Sequence, residues 1–473
     1  MKADFAARAH DALGNGQLRR NFRRAMDGLM SKRALQFEDQ EGWAALRARG
    51  TAVKARALAR LPDLLEEFEA KAQANGITVH WAETTDEANR IVLAILRAHD
   101  AKRVIKGKSM VSEEMHLNAH LEAHGIAAVE SDLGEYIIQL AGEAPSHIVM
   151  PCIHKNTGEI AQLFTDNIDG LAYTEDVDAL TAAARRVLRQ QFADADAGLS
   201  GANFLVAETG SMVLIENEGN GRLSTTLPPL HIAVAGIEKL VETLDDVAPL
   251  LALLPRSATG QAITTYVNMI SGPRKQGEKD GPHQVHLVLL DNGRSRVYAD
   301  EQLRDTLRCI RCGACMNHCP VYARVGGHTY GSVYPGPIGK ILTPQLAGLD
   351  CAGDLPHAST LCNACVEVCP VQIPIADILV RLRTEAAQPS AAPGVKGAGA
   401  GRSRVENVIW AGWKILYAHA GLYGLGTRLL GLFGNFIPAA APLLKQWTQV
   451  RAKPKFAGKS LHVLAREKGY DHE

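Results

Sequence analysis

No stretch of the sequence reaches 18 consecutive apolar residues, so no transmembrane helix is predicted. Charge of one sign is not in excess, because 51 Lys and Arg residues balance 51 Asp and Glu residues. This balance excludes a chain-wide basic field for nucleic acid. A dinucleotide-binding fingerprint and a P-loop are also missing, and the nearest glycine pattern, Gly219-Asn220-Gly221, has no third glycine. The first residues contain no apolar segment of signal-peptide length, which predicts a cytoplasmic protein.

The composition is that of a folded protein, with 46% hydrophobic and 22% charged residues. A length of 473 residues is typical of about three domains. Changes in pattern along the chain predict five regions. They are a helical N-terminal region (1–83), an α/β domain (84–298), an α-helical ferredoxin-like domain (299–387), a flexible Pro/Gly/Ala-rich linker (388–403) and a helical C-terminal tail (404–473).

Short β-branched runs alternate with helical patterns in the second region. The runs predicted as strands are RVIKG, IAAVES, HIVMPC, FLVAETG, MVLIE, HIAVAG and VHLVLL. The segments ANRIVLAILRAHD, SEEMHLNAHLEAHG and DALTAAARRVLRQQF are predicted as helices. This alternation predicts an α/β domain with a substantially parallel sheet.

Cysteine is the residue whose placement is unusual. Eight of the nine cysteines lie between Cys309 and Cys369, and only Cys152 lies outside. In a reducing compartment, such clustering favours metal binding over disulfides. The first group has the spacing C-x2-C-x2-C-x3-C-P of bacterial ferredoxins, and consists of Cys309, Cys312, Cys315 and Cys319, followed by Pro320.

A second run contains Cys362, Cys365 and Cys369, followed by Pro370. Two runs of this kind in one small segment are expected to exchange their last ligands, because the fourth cysteine of a run points away from its own cluster. The first [4Fe–4S] cluster would then be held by Cys309, Cys312, Cys315 and Cys369. The second would be held by Cys319, Cys362 and Cys365.

The second run lacks one cysteine, since Ser359 stands where a full ferredoxin run has its first thiol. The fourth ligand of the second cluster is therefore open between Cys351, the Ser359 oxygen and an outside ligand, and otherwise the cluster is [3Fe–4S]. We favour a site with three cysteines, completed by Cys351. Two zinc sites are the alternative, but zinc ribbons use paired C-x2-C units without the C-x3-C-P ending.

With these runs, a set of shorter motifs resembles the lactate utilization protein B family. The motifs are Lys106-Gly-Lys-Ser-Met110 followed by SEEMHLN, Glu130-Ser-Asp-Leu-Gly-Glu-Tyr-Ile-Ile-Gln139, Pro145-Ser-His-Ile148, Ala207-Glu-Thr-Gly-Ser211, Gly272-Pro-Arg274, Asp280-Gly-Pro282 and Asp291-Asn-Gly-Arg294. The resemblance covers nearly the whole chain. It implies that the α/β part is a lactate-utilization domain, similar in fold to sugar isomerases and CoA-transferases.

The resemblance also implies a role, that of the iron–sulfur electron-transfer subunit of a complex that oxidises L-lactate to pyruvate. In such a complex the chain is non-catalytic or co-catalytic, and its partners are a cysteine-rich-repeat subunit and a second lactate-utilization-domain subunit. The alternatives are a similar subunit for glycolate or glycerol-phosphate oxidation, or a ligand-binding or regulatory α/β protein.

Several single residues are weaker candidates. Lys106, Lys108 and Ser109 precede a predicted helix, where an anion could bind, although a capped turn explains them equally well. Four further residues have a possible function: Glu208 as a base, His147 and His154 as substrate ligands, and Arg294 as a carboxylate ligand. For each of them a structural role is the favoured interpretation. In the tail, Trp410 and Trp413 share a helix face. This face predicts contact with a partner, or peripheral contact with the inner face of the cytoplasmic membrane.

Overall fold

The computed structural model of the protein describes residues 4–387, 404–441, 444–445, 448 and 451–470. The chain divides into two compact units, Met1–Ala400 and Gly401–Glu473. The linker predicted at 388–403 lies outside the described residues.

Four helices precede the first strand, as the helical pattern predicts. They are α1 (Phe5–Gly14), α2 (Gly16–Gln36), α3 (Gln40–Ala59) and α4 (Leu61–Ala74). Side chains of Asp4, Asn15 and Asp39 cap the first three by accepting backbone N–H groups of the first turn. The region 1–83 is not wholly helical, however, because strand β1 (Ile77–Ala82) lies within it.

The α/β part contains a six-stranded, wholly parallel sheet, which confirms the predicted parallel pairing. Its order is β1–β10–β7–β4–β2–β3. The strands other than β1 are β2 (Arg103–Lys106), β3 (Ala127–Glu130), β4 (Ala197–Ser200), β7 (Leu230–Gly236) and β10 (Gln284–Leu290). Strand β7 is buried along its whole length, as expected for a central strand covered on both faces.

Eight α-helices lie between β1 and β10. They are α5 (Thr85–Ala98), α6 (Met110–Glu114), α7 (Leu117–Ala123), α8 (Leu133–Leu140), α9 (Thr157–Asn167), α10 (Val177–Ala193), α11 (Asn220–Thr226) and α12 (Val247–Ala258). Successive residues of β7 enter different cores, with Ile232 and Val234 on one face and Ala233 and Ala235 on the other.

A smaller mixed sheet has the order β8–β5–β6–β9. It consists of β5 (Phe204–Val206), β6 (Ser211–Glu216), β8 (Leu240–Val241) and β9 (Tyr266–Ile270). The strands predicted at FLVAETG and MVLIE are therefore confirmed, but they belong to this second sheet.

The prediction of a strand at 147–152 is wrong, since HIVMPC forms bends and turns. The ring nitrogen Nδ1 of His147 accepts the amides of Val149 and Met150 at 2.9 and 3.1 Å, so a sheet ladder cannot use them. Pro151 has no amide to donate. Cys152 is half-buried in this turn. The helix predicted over 112–125 is divided into α6 and α7 at His116, whose φ is +50°.

The cysteine-rich segment is helical and contains no strand. Its helices are α13 (Arg294–Ala299), α14 (Ala314–Asn317), α15 (Tyr322–Val325), α16 (Gly336–Ala347), α17 (Leu349–Ala352), α18 (Ala364–Glu367) and α19 (Ile375–Ala386). One hydrophobic core includes residues of α3, β7, β10, α16 and α19. This core contains residues on both sides of positions 84 and 299, so it does not mark the domain boundaries predicted there. Those boundaries stay predictions.

The helices of the second unit are α20 (Arg404–Ala418), α21 (Ala420–Phe433) and α22 (Leu461–Glu467). None of the described helices combines the length and the apolar character that a membrane crossing needs.

Candidate iron–sulfur site

Four thiols from the two cysteine runs line one small cavity. Cys309, Cys312 and Cys315 come from the first run, and Cys369 is the last cysteine of the second. The remaining wall is largely apolar and includes Ile148, Ile310, Ile338, Pro370, Val371, Ile373 and Ile375. The structure thus brings together the four residues predicted for the first cluster.

The backbone of the first run is shaped by two left-handed residues. Arg311 has a φ of +61° and Gly313 a φ of +77°, and both lie next to Cys312. This conformation lets the Arg311 amide donate to Cys309 Sγ at 3.4 Å. The amide of Ile373 donates to Cys369 Sγ at the same distance. Hydrogen bonds from backbone amides to sulfur favour the thiolate form that ligates iron.

A second cavity is lined by Cys319, Cys362 and Cys365. These are the three cysteines predicted for the second cluster. Ser359 lines this cavity as well. Cys351 is exposed in α17 and is not among the lining residues, so the geometry disfavours it as the fourth ligand.

The backbone around Ser359 repeats that around Cys309. Leu361 and Asn363 have φ values of +55° and +69°, matching Arg311 and Gly313 in position and sign. The Leu361 amide donates to Ser359 Oγ at 3.2 Å, as the Arg311 amide donates to Cys309 Sγ. Ser359 therefore occupies the position at which a full run has its first cysteine.

Both donor sets fit iron–sulfur clusters. Thiolates are ligands for such clusters, and the apolar walls with amide N–H groups directed at sulfur suit a buried inorganic core. The thiols border cavities and do not converge on one point. Among the described residues, no three His, Cys, Asp or Glu side chains form a group for a single metal ion.

A buried cation lies beside the second cavity. Lys340 in α16 is 1% exposed, and its Nζ lies 3.5 Å from Cys319 Sγ. The ammonium is also 5.6 Å from the centroid of the Tyr330 ring. It places a positive charge against a thiolate that any cluster bound there would share.

Replacing Lys340 with methionine should lower the reduction potential of a cluster bound in the second cavity. A reduced cluster carries one more negative charge, which the ammonium stabilises at close range. An EPR-monitored redox titration measures the change, and Lys340→Arg is the matched variant that keeps the charge. Equal potentials in the methionine variant and the unchanged protein would show that the ammonium has no such effect.

Most of the weaker candidates have structural partners. Lys106 is buried and forms ion pairs with Glu113 and Glu130, so it is not available to an outside anion. Lys108 pairs with Asp132 at 2.9 Å. The hydroxyl of Ser109 accepts the Ser112 amide and caps α6.

The other single candidates are also engaged. Glu208 accepts the amide of Leu244, and His154 lies 2.6 Å from Glu143. His147 is buried and its Nε2 lies 3.1 Å from Asn317 Oδ1. Burial lowers the pKa of His147 to about 4, so its ring is neutral at pH 7. These contacts support the structural interpretations.

Arg294 does bind carboxylates, but they belong to the protein. It is 0% exposed, donates to both oxygens of Glu114 at 2.9 and 2.7 Å, and donates through Nε to Glu238 at 2.7 Å. Glu238 also pairs with Arg311 at 3.2 Å. Burial raises the pKa of Glu238, but Arg294 and Arg311 outweigh it and lower the pKa to about 2. This network links the parallel sheet to residues 309–313, which we call the cysteine loop.

Sequence reasoning missed Glu238, Lys239 and a cavity of about 400 Å³ that Lys239 and Arg311 both line. The only local signal was position, because Glu238 and Lys239 follow the predicted strand HIAVAG, and ligands of parallel sheets bind at the carboxyl ends of strands. Nothing in the sequence showed that Arg311 reaches the same place.

The C-terminal unit exposes many large apolar side chains. They include Trp410, Trp413, Ile415, Leu425, Leu432, Phe433 and Phe436. The rings of Trp410 and Trp413 are 6.4 Å apart and edge-on, which agrees with a shared helix face.

Three family models match successive parts of the chain. The LUD domain matches residues 65–290, the 4Fe-4S dicluster domain matches residues 305–373, and the C-terminal region of lactate utilisation protein B matches residues 381–470. The match to the second model supports the assignment of the cysteine-rich segment to an iron–sulfur domain.

Similar proteins span almost the whole chain. Lactate utilization protein B of Shouchella clausii is 39% identical over 459 residues, which are 96% of this chain and 94% of that protein. Its counterpart in Bacillus licheniformis is 39% identical over 95% of this chain and 94% of that protein. An uncharacterized electron transport protein, YkgF, of Escherichia coli is 38% identical over 97% and 95%.

Among solved structures, a DUF162 family protein from Deinococcus radiodurans is matched at 15% identity and a TM-score of 0.28, over 49% of this chain and 98% of that one. This likeness is too small to carry an argument. The sequence relatives suffice, since their identity of 38–39% extends over at least 94% of their own length, and the chain belongs to the lactate utilization protein B family.

Proposed function

We propose that the protein is the iron–sulfur electron-transfer subunit of a complex that oxidises L-lactate to pyruvate. The observation that carries this proposal is the pair of cavities lined by seven cysteines from two runs. The names of the relatives supply the substrate and the electron-transport role. The similarity of the α/β part to isomerases and CoA-transferases stays a prediction of the family resemblance.

Each cavity is assigned one cluster. The first is a [4Fe–4S] cluster on Cys309, Cys312, Cys315 and Cys369. The second is a [4Fe–4S] cluster held by Cys319, Cys362 and Cys365, with the Ser359 hydroxyl as its fourth ligand. When bound, each cluster accepts one electron at a time. The protein's part is to hold the thiolates, exclude water with apolar walls and place Lys340 beside one of them.

The two assigned sites are joined through α14. Cys315 lies in this helix and borders the first cavity, whereas Cys319 follows two residues after its end and borders the second. Cys319 is four positions after Cys315, a separation of about one helical turn. Lactate gives up two electrons, so two adjacent one-electron centres can accept the pair in succession.

The partners are proposed from the family resemblance. They are a cysteine-rich-repeat subunit and a second subunit with a lactate-utilization domain. The exposed apolar side chains of α20 and α21 provide a surface for one of them. We place the complex in the cytoplasm, with the inner face of the membrane as the alternative contact of this surface.

The role is tested by complementing a deletion strain with the intact gene or with a Cys309→Ala variant. The intact gene should restore growth on L-lactate, and the variant should not, because the first cluster is lost. Cys351→Ala is the matched control and should restore growth fully. Growth on glycolate and on glycerol is measured in parallel. A defect confined to either of these would assign the protein to the corresponding oxidation and refute the lactate role.

The fourth corner of the second cluster has its own test. Ser359→Ala should convert the oxidised second cluster to a [3Fe–4S] form, because one iron loses its protein ligand. Ser359→Cys should retain four irons, and Cys351→Ala should leave the spectrum unchanged. The measurement is low-temperature EPR with iron and sulfide analysis on anaerobically purified protein. A [3Fe–4S] signal in Cys351→Ala alone would make Cys351 the ligand.

A further inference from the structure

A cavity of about 400 Å³ lies at the carboxyl edge of the parallel sheet. Its lining includes Gly107 after β2, Gly201 after β4 and Lys239 in the short 3-10 helix after β7. The smaller sheet contributes Glu216, and the cysteine loop contributes Arg311. The carboxyl edge is where open parallel sheets bind their ligands.

Lys239 is buried close to Glu238 and Cys309, but its ammonium bonds directly to neither of them. It is 7% exposed, and its ammonium makes no hydrogen bond or ion pair with a described residue. The neighbouring buried lysine, Lys54, behaves differently, since it donates to the carbonyl oxygens of Glu238 and Leu240 at 2.7 and 3.1 Å. Lys54 does not line the cavity.

Arg311 is only partly satisfied. Its Nη2 lies 3.2 Å from Glu238, whereas its Nη1 is buried without a hydrogen-bond partner. Leaving two cationic donors buried and incompletely paired is costly, and an anion in the same cavity would offset that cost.

The acids of the cavity do not supply this anion. Glu216 accepts the amides of Gly221 and Arg222 at 2.7 and 2.6 Å, and Asp132 is held by Lys108. Burial and the adjacent Asp132 raise the pKa of Glu218 to about 7, so much of its population is uncharged at neutral pH.

The cavity adjoins the first cluster site. Arg311 and Ile148 line both, so a ligand that meets Arg311 is one side chain away from the space bordered by Cys309 and Cys312. A bound molecule in this place would be a neighbour of an electron acceptor.

We propose that this cavity binds a small organic carboxylate, with Lys239 and Arg311 holding the carboxylate group beside the first cluster. That the ligand is a 2-hydroxy or 2-oxo acid rests on the proposed function, whereas the anion site rests on the two cations alone. The cavity is larger than a three-carbon acid, and water would fill the remainder.

The test is equilibrium dialysis of the anaerobically purified full chain against labelled L-lactate, pyruvate and inorganic phosphate, each alone. We expect saturable binding of L-lactate or pyruvate. Lys239→Met should weaken it by about tenfold or more, since a charge-assisted contact is lost. Lys239→Arg should retain binding, and Lys275→Met, at an exposed lysine, is the charge-matched control. Bound pyruvate should also alter the EPR signal of the reduced first cluster, but not in Lys239→Met.

Three results would overturn the assignment. They are the absence of saturable carboxylate binding, binding of phosphate alone, and carboxylate binding that Lys239→Met leaves unchanged while its iron content and circular dichroism match the unaltered protein. Protein that holds iron but fails to bind the acids refutes only the cavity assignment. Protein that binds the acids but holds no iron refutes only the electron-transfer role.

Discussion

Replacing Cys369 with alanine should remove the first cluster, although Cys369 belongs to the second cysteine run. The purified variant should lose about four of roughly eight irons, together with the EPR signal of that cluster. The reason is that Cys369 shares a cavity with Cys309, Cys312 and Cys315, and not with Cys362 and Cys365. Iron and sulfide analysis with low-temperature EPR on anaerobically purified protein measures the loss.

The reciprocal variant separates exchange of ligands from simple damage to the fold. Cys365→Ala should remove the second cluster and leave the signal of the first. Cys152→Ala and Cys351→Ala serve as controls, since neither cysteine lines either cavity, and both should keep all the iron. If Cys369→Ala and Cys365→Ala lose the same signal, each run holds its own cluster and the assigned exchange is wrong.

Arg294→Met should destabilise the protein by about 3–5 kcal/mol, because it leaves the buried carboxylates of Glu114 and Glu238 without their main cation. Methionine fills part of the space, so the loss comes chiefly from uncompensated charge. Glu114 keeps Tyr334 and Glu238 keeps Arg311, but neither contact replaces the two-pronged one. The measurement is the urea dependence of tryptophan fluorescence, from which the free energy of unfolding is obtained.

A surface arginine provides the comparison. Arg56 pairs with Glu242 and Asp246, but its side chain is 46% exposed, and Arg56→Met should cost less than about 1 kcal/mol. Combining Arg294→Met with Glu114→Gln should recover part of the loss, since one buried charge is then removed. An equal decrease in the free energy of unfolding for Arg294→Met and Arg56→Met would show that the buried network stabilises the protein no more than the surface ion pairs do.

The cysteine grouping was predictable because it is encoded in short spacings. A tight turn followed by one helical turn fixes where each thiol points, and Cys309 to Cys319 span only 11 positions. The fourth ligand of the second site was not decided by spacing, which left Ser359 and Cys351 open and favoured Cys351. The proposal of Ser359 comes from backbone conformation, namely the left-handed residues Leu361 and Asn363.

Sheet architecture was predictable only in kind. Alternating strand and helix patterns indicate parallel pairing, but no local pattern gives the order, which places β1 and β10 side by side across about 200 residues. The run at 147–152 was predicted as a strand because its side chains are largely apolar, and apolar side chains pack in a core whether or not the backbone is extended. Ile148, Met150 and Ile153 pack against the core that contains Cys319 and Tyr322.

The cavity at Lys239 could not be predicted from the sequence. Its two cations lie 72 positions apart, in segments that sequence patterns assign to different domains. Each has an ordinary explanation alone, since lysine and arginine side chains usually keep their charged heads in water. Only the fold shows that both enter one buried space.

The N-terminal helices pack against the last-made part of the same unit, and this fixes an order of events during synthesis. The Phe5 amide donates to Asp354, 349 residues further on, and Phe22 contacts Tyr322 edge-on. Arg47 donates to the carbonyl oxygens of Val366 and Cys369. The emerging chain must therefore hold its first helices without their partners until the cysteine segment has left the ribosome. Neither metal loading nor the packing of the N-terminal helices on the cysteine segment can therefore be complete before the chain has been translated past Cys369.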